Sequence, residues 1–413
     1  MTATNALSVA ILKRRYAGGK VPKANFTDFP FISNVQKKED WTGDDYAIAI
    51  QTENAQGVGP SIADAQSAAA QGNYVRFLLT RKEYFGVVRI KGQALRTATT
   101  KGDGAVVDLW KNECDGITQT FLKCLEINGF GTGNGVLGTI STGVTGAAVT
   151  LTVVEDVANF DIGMKVKLVS ATTLSPTTRA GTATITSVDR AAGTLSLAAG
   201  NWDAIITGAT NGDSLVRAGD QAVAGTPTVP SGMRQWLIGG ATPGTHASLS
   251  RNTDPVRLAS QSLDMTGLPM SDAIIDLESL ISTQGQLTSK KLWAHPRDFR
   301  QVKKSLGGKV NFPREKMSST VAGLSFSAIQ WEGDAGTIPM MLSPFCPRQN
   351  VFLKDMSTFA LYSIGPAPQP LDLDKSDFLR VATDDAYELR IGMYGDWGDD
   401  SPVKSARGTN WGV

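Results

Sequence analysis

Apolar residues at every second position mark the first ordered stretch of the chain. Tyr46, Ile48 and Ile50 alternate with small or polar residues, the period of a half-buried strand. Tyr74-Val75-Arg76-Phe77-Leu78-Leu79 returns with strand character, and Tyr84 to Ile90 continues it. Between them lies GVGPSIADAQSAAAQGN, small and polar, with nothing large enough to anchor a tip. The pattern predicts a long projecting hairpin over 46–91. Its unpaired edges would invite aggregation in a monomer, so it makes sense lying on a partner.

A helical period takes over at 103–128. Val106, Trp110, Ile117, Phe121 and Leu125 share one stripe, with Cys114 and Cys124 on or near it. Asp103 is a candidate N-cap, and Gly129 is a C-cap signal. Two more helices are predicted, one at 271–281 and one opening at His295-Pro296 and running through Phe299, Val302 and Leu306 to Gly307-Gly308. Strands are expected around 292–293, at 324–331, 338–342, 350–354 and 358–363, and most strongly at 387–394, followed by a polar tail. Residues 1–45 have few regular signals. Gly18-Gly19, Pro22 and Pro30 break them, and Phe26, Phe29, Phe31 and Ile32 sit among the breakers. This reads as an extended segment, either a strap over its own domain or an arm on a neighbour.

Composition changes between 136 and 221, which is rich in Thr, Ala, Gly, Ser and Val. Strands are expected at 148–154, 164–169, 182–188, 194–197 and 214–216, with Asp189 to Gly193 as a turn. The segment reads as a compact all-β module inserted into a host domain. Over the full 413 residues, charged groups make up 19%, below the ~25% of an ordinary soluble domain. A net charge of +1 argues against a dedicated nucleic-acid-binding domain. Cys114, Cys124 and Cys346 form neither a disulfide framework nor a zinc cluster, which fits a reducing cytosol. The N-terminus places its basic run after a short apolar stretch, the reverse of a signal peptide, and no segment is apolar for the ~20 residues of a membrane span.

Candidate chemistry is sparse. The two histidines, His246 in a Gly/Thr/Ser loop and His295 at a strand-to-helix corner, have no second ligand at i+3 or i+4. The glycines of 129–135 lack Gly-Lys-Ser/Thr and follow a helix, whereas a phosphate loop follows a strand. Asp372, Asp374 and Asp377 resemble part of a calcium loop without its glycine and closing glutamate, and Asp384-Asp385 and Asp399-Asp400 are isolated pairs. No catalytic, cofactor-binding or metal residue is assigned, and no enzymatic activity is expected. Basic residues recur at Lys13, Arg14 and Arg15 and at Arg76, Arg81, Lys82, Arg89, Lys91, Arg96 and Lys101. Solvated faces and intersubunit ion pairs explain them better than a phosphate-binding surface does, because the chain is nearly neutral.

Five stretches in this order resemble the HK97-type major capsid proteins of tailed bacteriophages. They are LKRRY leading to FPFISNVQKKEDWTGDDYAIAIQ; the hairpin followed by YFGVVRIKGQALRTA; GAVVDLWKNECDGITQTFLKCLEINGFG; KLWAHPRDFRQVKKSLGG; and YELRIGMYGDW. The resemblance implies an α+β HK97-like fold. Its parts would be an N-terminal arm (1–45), an extended hairpin loop (46–91), a peripheral domain with a spine helix (92–135, resuming at 222–270), the inserted β domain (136–221), an axial domain (271–345), and peripheral strands with a tail (346–413). It also implies assembly into hexamers and pentamers enclosing double-stranded DNA in a virion built in the host cytoplasm. The implied partners are a separate scaffolding protein, a portal, a decoration protein and non-specific contact with the DNA, with no membrane and no cofactor. An encapsulin-like compartment is a second reading, and an exported β-rich adhesin or fibre is a third.

Overall fold

A computed structural model describes residues 28–93, 109–170, 172–285, 290–306, 329–334, 336–371, 379–381 and 383–413. The candidate cap Asp103, Val106, Arg96, Lys101, the Asp372–Asp377 cluster and residues 1–27 lie outside them. Among the described residues, no helix is long and apolar enough to cross a membrane.

Residues 29–38 strap the chain's own core. Proline in its first turn helps set a single helical turn, Pro30–Asn34 (α1). Phe31 is fully buried, with its ring 4.7 Å from Phe130, 5.4 Å from Trp293 and 5.5 Å from Trp397. Strand Gln36–Lys38 (β1) then pairs in parallel with a strand more than 300 residues later. Of the two readings of this segment, its own domain claims residues 29–38.

Strands Asp45–Glu53 (β2) and Asn73–Thr80 (β3) form an antiparallel pair, and between them Ile62–Ser67 makes a short helix (α2). The tip is therefore shaped: Ser61 Oγ accepts from the backbone N–H of Asp64 at 3.2 Å and donates to its carboxylate at 2.6 Å. The hairpin ends at β3. Lys82–Lys91 (β4), expected to continue it, instead runs along a strand near the C-terminus. Period-two alternation shows a strand but not its partner, so this difference was invisible locally.

Helix Leu109–Phe130 (α3) crosses the back of β4. It runs through Gly129, which was expected to end it. A Cβ there would lie 2.2 Å from the ring of Phe31, so this glycine serves close approach and not a cap. The module follows, with strands Val136–Thr142 (β5), Ala148–Leu151 (β6), Lys165–Val169 (β7), Ala183–Thr184 (β8), Ser187–Asp189 (β9), Thr194–Ser196 (β10) and Ser214–Arg217 (β11). They make one sheet in the order β8-β7-β11-β5-β6-β10-β9.

The short helices Trp202–Ile205 (α4) and Met233–Trp236 (α5) and the small hairpin Thr245–His246 (β12) with Leu249–Ser250 (β13) fill connections. The next strands are Gln261–Asp264 (β14), Lys291–Ala294 (β15), Ile329–Gly333 (β16), Gly336–Leu342 (β17), Val351–Lys354 (β18), Phe359–Ser363 (β19), Gln369–Pro370 (β20), Leu379–Arg380 (β21), Ala386–Asp399 (β22) and Ser405–Thr409 (β23). One sheet runs β1-β19-β22-β20, with β21 and β4 also on the long strand β22. Another runs β14-β23-β18-β15-β17-β16, beneath helices Met270–Ser282 (α6) and Pro296–Leu306 (α7).

Strands β18 and β23, expected with the peripheral strands and a polar tail, lie inside this second sheet. Val351, Leu353 and Ala406 join its core, and Trp411 of the supposed tail is fully buried there. All of β18 and β19 is buried, so neither shows the alternation that would reveal which sheet it joins.

Candidate assembly surface

The base of the hairpin is held by its own subunit. Phe77, fully buried, meets Trp236 edge-on at 5.2 Å, and the backbone N–H of Leu78 donates to the carbonyl of Ala247 at 2.8 Å. On the other strand Tyr46 packs at 4.8 Å on Tyr362 and donates to Asp40 at 3.0 Å. Toward the tip the contacts stop: Val58, Ile62 and Tyr74 are 94%, 79% and 66% exposed. A second apolar surface lies on the outer face of β4, where Phe85 and Val87 are about half exposed and Phe85 meets Tyr394 at 5.6 Å. Beside them Glu388 is held by Arg89 and Arg390. The same chain thus exposes two apolar patches, one on a projecting element and one on a flat sheet face.

The basic residues of this region are largely committed. Arg81 lies 3.4 Å from Asp44, Arg89 binds Glu388, and Lys82 is half-buried, while Arg76 and Lys91 remain exposed. A polar cleft of about 840 Å³ beside the hairpin is lined by Gln51, Glu53, Gln71, Arg257 and Lys404 among others.

The two histidines sit in separate places. His246 packs edge-on to Trp236 at 4.4 Å, and burial near Arg251 and Lys82 pushes it down to about 3. His295 Nδ1 accepts from the N–H of Arg297 at 3.1 Å, and burial pushes it down to about 4. Among the described residues, no three His, Cys, Asp or Glu side chains are grouped to hold a metal. None of the three cysteines is in a disulfide; burial raises Cys124 and Cys346, as befits inert core thiols. Asp399 is the carboxylate of a fully buried pair, with both its oxygens 2.7 Å from Lys354 Nζ, which also donates to Thr358 and Ser405.

Sequence reasoning passed over the charges that tie the parts together. Glu126, fully buried on α3, accepts from the N–H groups of Phe31 at 3.1 Å and Ile32 at 3.0 Å and from Ser343 Oγ at 2.8 Å. Burial pushes it up to about 7 despite those donors. One turn earlier, Lys123 reaches Asp161 of the module at 2.7 Å. Glu155 of the module binds Arg297 of α7 and lies 2.9 Å from Arg348, which also holds buried Asp298 at 2.8 Å. Tyr84 donates to Asp220 at 3.1 Å where the module rejoins the host. Glu126 lies about 100° around the helix from Leu125, off the stripe of Ile117, Phe121 and Leu125, so its burial had no local signal.

No known protein family and no curated protein matches the chain. Solved structures do. The cyanophage A-1(L) capsid asymmetric unit aligns with a TM-score of 0.56 at 11% identity, covering 98% of both chains. The capsid of a native GTA particle, computed with C5 symmetry, aligns at 0.51 and 9% identity over 97% of this chain and 95% of that one. The capsid of the empty GTA particle aligns at 0.50 and 10% identity, covering 99% and 98%. Over nearly its whole length the chain therefore has the α+β fold of these capsid subunits. The sequence resemblance likewise implied an α+β fold.

Proposed function

We propose that the chain is a major capsid protein. Its copies assemble into hexamers and pentamers, and these close into an icosahedral head shell around double-stranded DNA. The observation that carries this reading is the likeness in fold to capsid subunits over nearly the full length of the chain. The role is mechanical. The hairpin of one copy lays Val58, Ile62 and Tyr74 on the Phe85–Val87 face of the next. A head-to-tail contact of this kind closes rings when its rotation divides the circle. A separate scaffolding protein directs closure, a portal occupies one vertex, and contact with DNA is non-specific.

The test is expression of the full chain with the scaffolding protein of its own phage, followed by sedimentation and electron microscopy. Closed shells or capsomers are expected. A chain that stays monomeric under all conditions overturns the reading.

A further inference from the structure

The chain carries 40 basic and 39 acidic residues, yet two neighbouring helices on the second sheet divide the signs between them. Helix α6 has no Lys or Arg. Asp272, Ile275, Asp276 and Ser279 fall at i, i+3, i+4 and i+7, one surface stripe, in which Asp272, Asp276 and Ser279 are exposed and Ile275 is 57% exposed. On helix α7, Arg297, Arg300 and Lys304 fall at i, i+3 and i+7, and all are exposed. The one carboxylate of α7, Asp298, is fully buried and taken up by Arg348 and the backbone of Gln349. Glu155 engages Arg297, and among the described residues Arg300 and Lys304 have no ion-pair partner.

The two helices share one core through Ala273, Ile274, Leu277 and Ile281 on α6 and Phe299 and Val302 on α7. No ion pair between side chains of the two helices is found among the described residues. Two adjacent stripes of opposite sign, each about 10 Å long at ~1.5 Å per residue, are therefore not matched to each other among the described residues.

We propose that the acidic stripe of α6 in one copy docks against the basic stripe of α7 in the next, with Ile275 covered at the centre. The contact joins two different surfaces, so it repeats head-to-tail and specifies direction around a ring. A second copy is favoured over nucleic acid because α6 places two carboxylates in the same layer as the two cations. Such a surface repels a phosphate backbone but complements itself. This contact rests on the capsid reading and lies apart from the hairpin contact.

The experiment uses the full chain with its scaffolding protein and reads assembled particles by sedimentation, with thermal unfolding of unassembled subunits as the control. D272K/D276K and R300E/K304E should each lower assembly about tenfold or more, with unfolding midpoints unchanged. Combining all four substitutions in one chain should restore assembly. Mixing the two variant chains should restore only rings with an even number of copies, because each variant then complements the other but not itself. Parental assembly with unaffected variants, or no rescue in the combined chain, overturns this contact and leaves the capsid reading standing. Loss of nucleic-acid retention without loss of assembly in R300E/K304E also overturns it. A parental chain that never assembles overturns both.

Discussion

The hairpin of β2 and β3 and the seven-stranded module of β5 to β11 are both excursions from the host, but they meet their surroundings differently. The module has seven strands, and its Val149, Val166, Leu168, Leu195 and Leu215 are fully buried in a core continuous with that of the host. It is then tied to the host at Lys123–Asp161, Arg348–Glu155 and Tyr84–Asp220. The hairpin, a two-stranded ribbon, cannot bury its own faces. Ile48, Phe77 and Leu79 are buried only because the host covers them, and beyond that cover Val58, Ile62 and Tyr74 stand in solvent. The contrast separates apolar surface covered within the chain from apolar surface that the chain leaves exposed.

The sharpest way to break this comparison is to excise the module. The chain enters and leaves it at one place: a Cβ on Gly135 would lie 2.2 Å from the carbonyl of Asp220, and Val136 pairs with Val216. A short linker replacing 136–221 should therefore let the host fold. It would strand Lys123 without Asp161 and take Glu155 from Arg348, at a cost of about 3–5 kcal/mol if Lys123 stays charged. Urea unfolding measures this, and an excised chain as stable as the parent would mean that the ion pairs contribute nothing.

Next in size, Phe77→Ala should cost about 3–5 kcal/mol, because it empties a buried site against Trp236. A much smaller loss in the unfolding midpoint would show that the hairpin base is not part of the subunit core.

Titration comes third. The folded-state pKa of Glu126, about 7, lies above its ordinary value of 4.5, so the fold binds a proton that the unfolded chain releases. Its contribution to stability is full below about pH 4.5 and is lost as pH rises to about 7, by up to about 3 kcal/mol. Burial raises Asp156 and Asp396 to about 7 as well, so they act in the same direction. Glu126→Gln should flatten the fall in unfolding midpoint between pH 5 and pH 8, and an unchanged slope would rule Glu126 out as a contributor.

The smallest effect on subunit stability belongs to the tip. Ile62→Ser with Tyr74→Ser should shift unfolding by no more than about 0.5 kcal/mol while sharply reducing the yield of assembled particles. Normal assembly would show that the tip's apolar residues carry no contact.

Much of this was legible in the chain. Helices α6 and α7 fall where the 3.6-residue period of Ile274, Leu277, Ile281, Phe299 and Val302 put them, and the module's change of composition coincides with a separate sheet. The strap was harder, because Phe31 among helix breakers is apolar without being periodic. Its burial depends on Gly129 leaving room for the ring and on Glu126 accepting its backbone N–H groups.

By itself the sequence determined the local elements, because spacing of apolar residues, caps and turn residues act within a few positions. Only the tertiary structure decided which elements meet. It joined β4 to β22 across some 300 residues, placed β18 and β23 in the second sheet, and set Lys123 and Glu126 of one helix against the module and the strap. Those choices depend on burying surface and pairing charge between distant segments, and such energies leave no period in the chain.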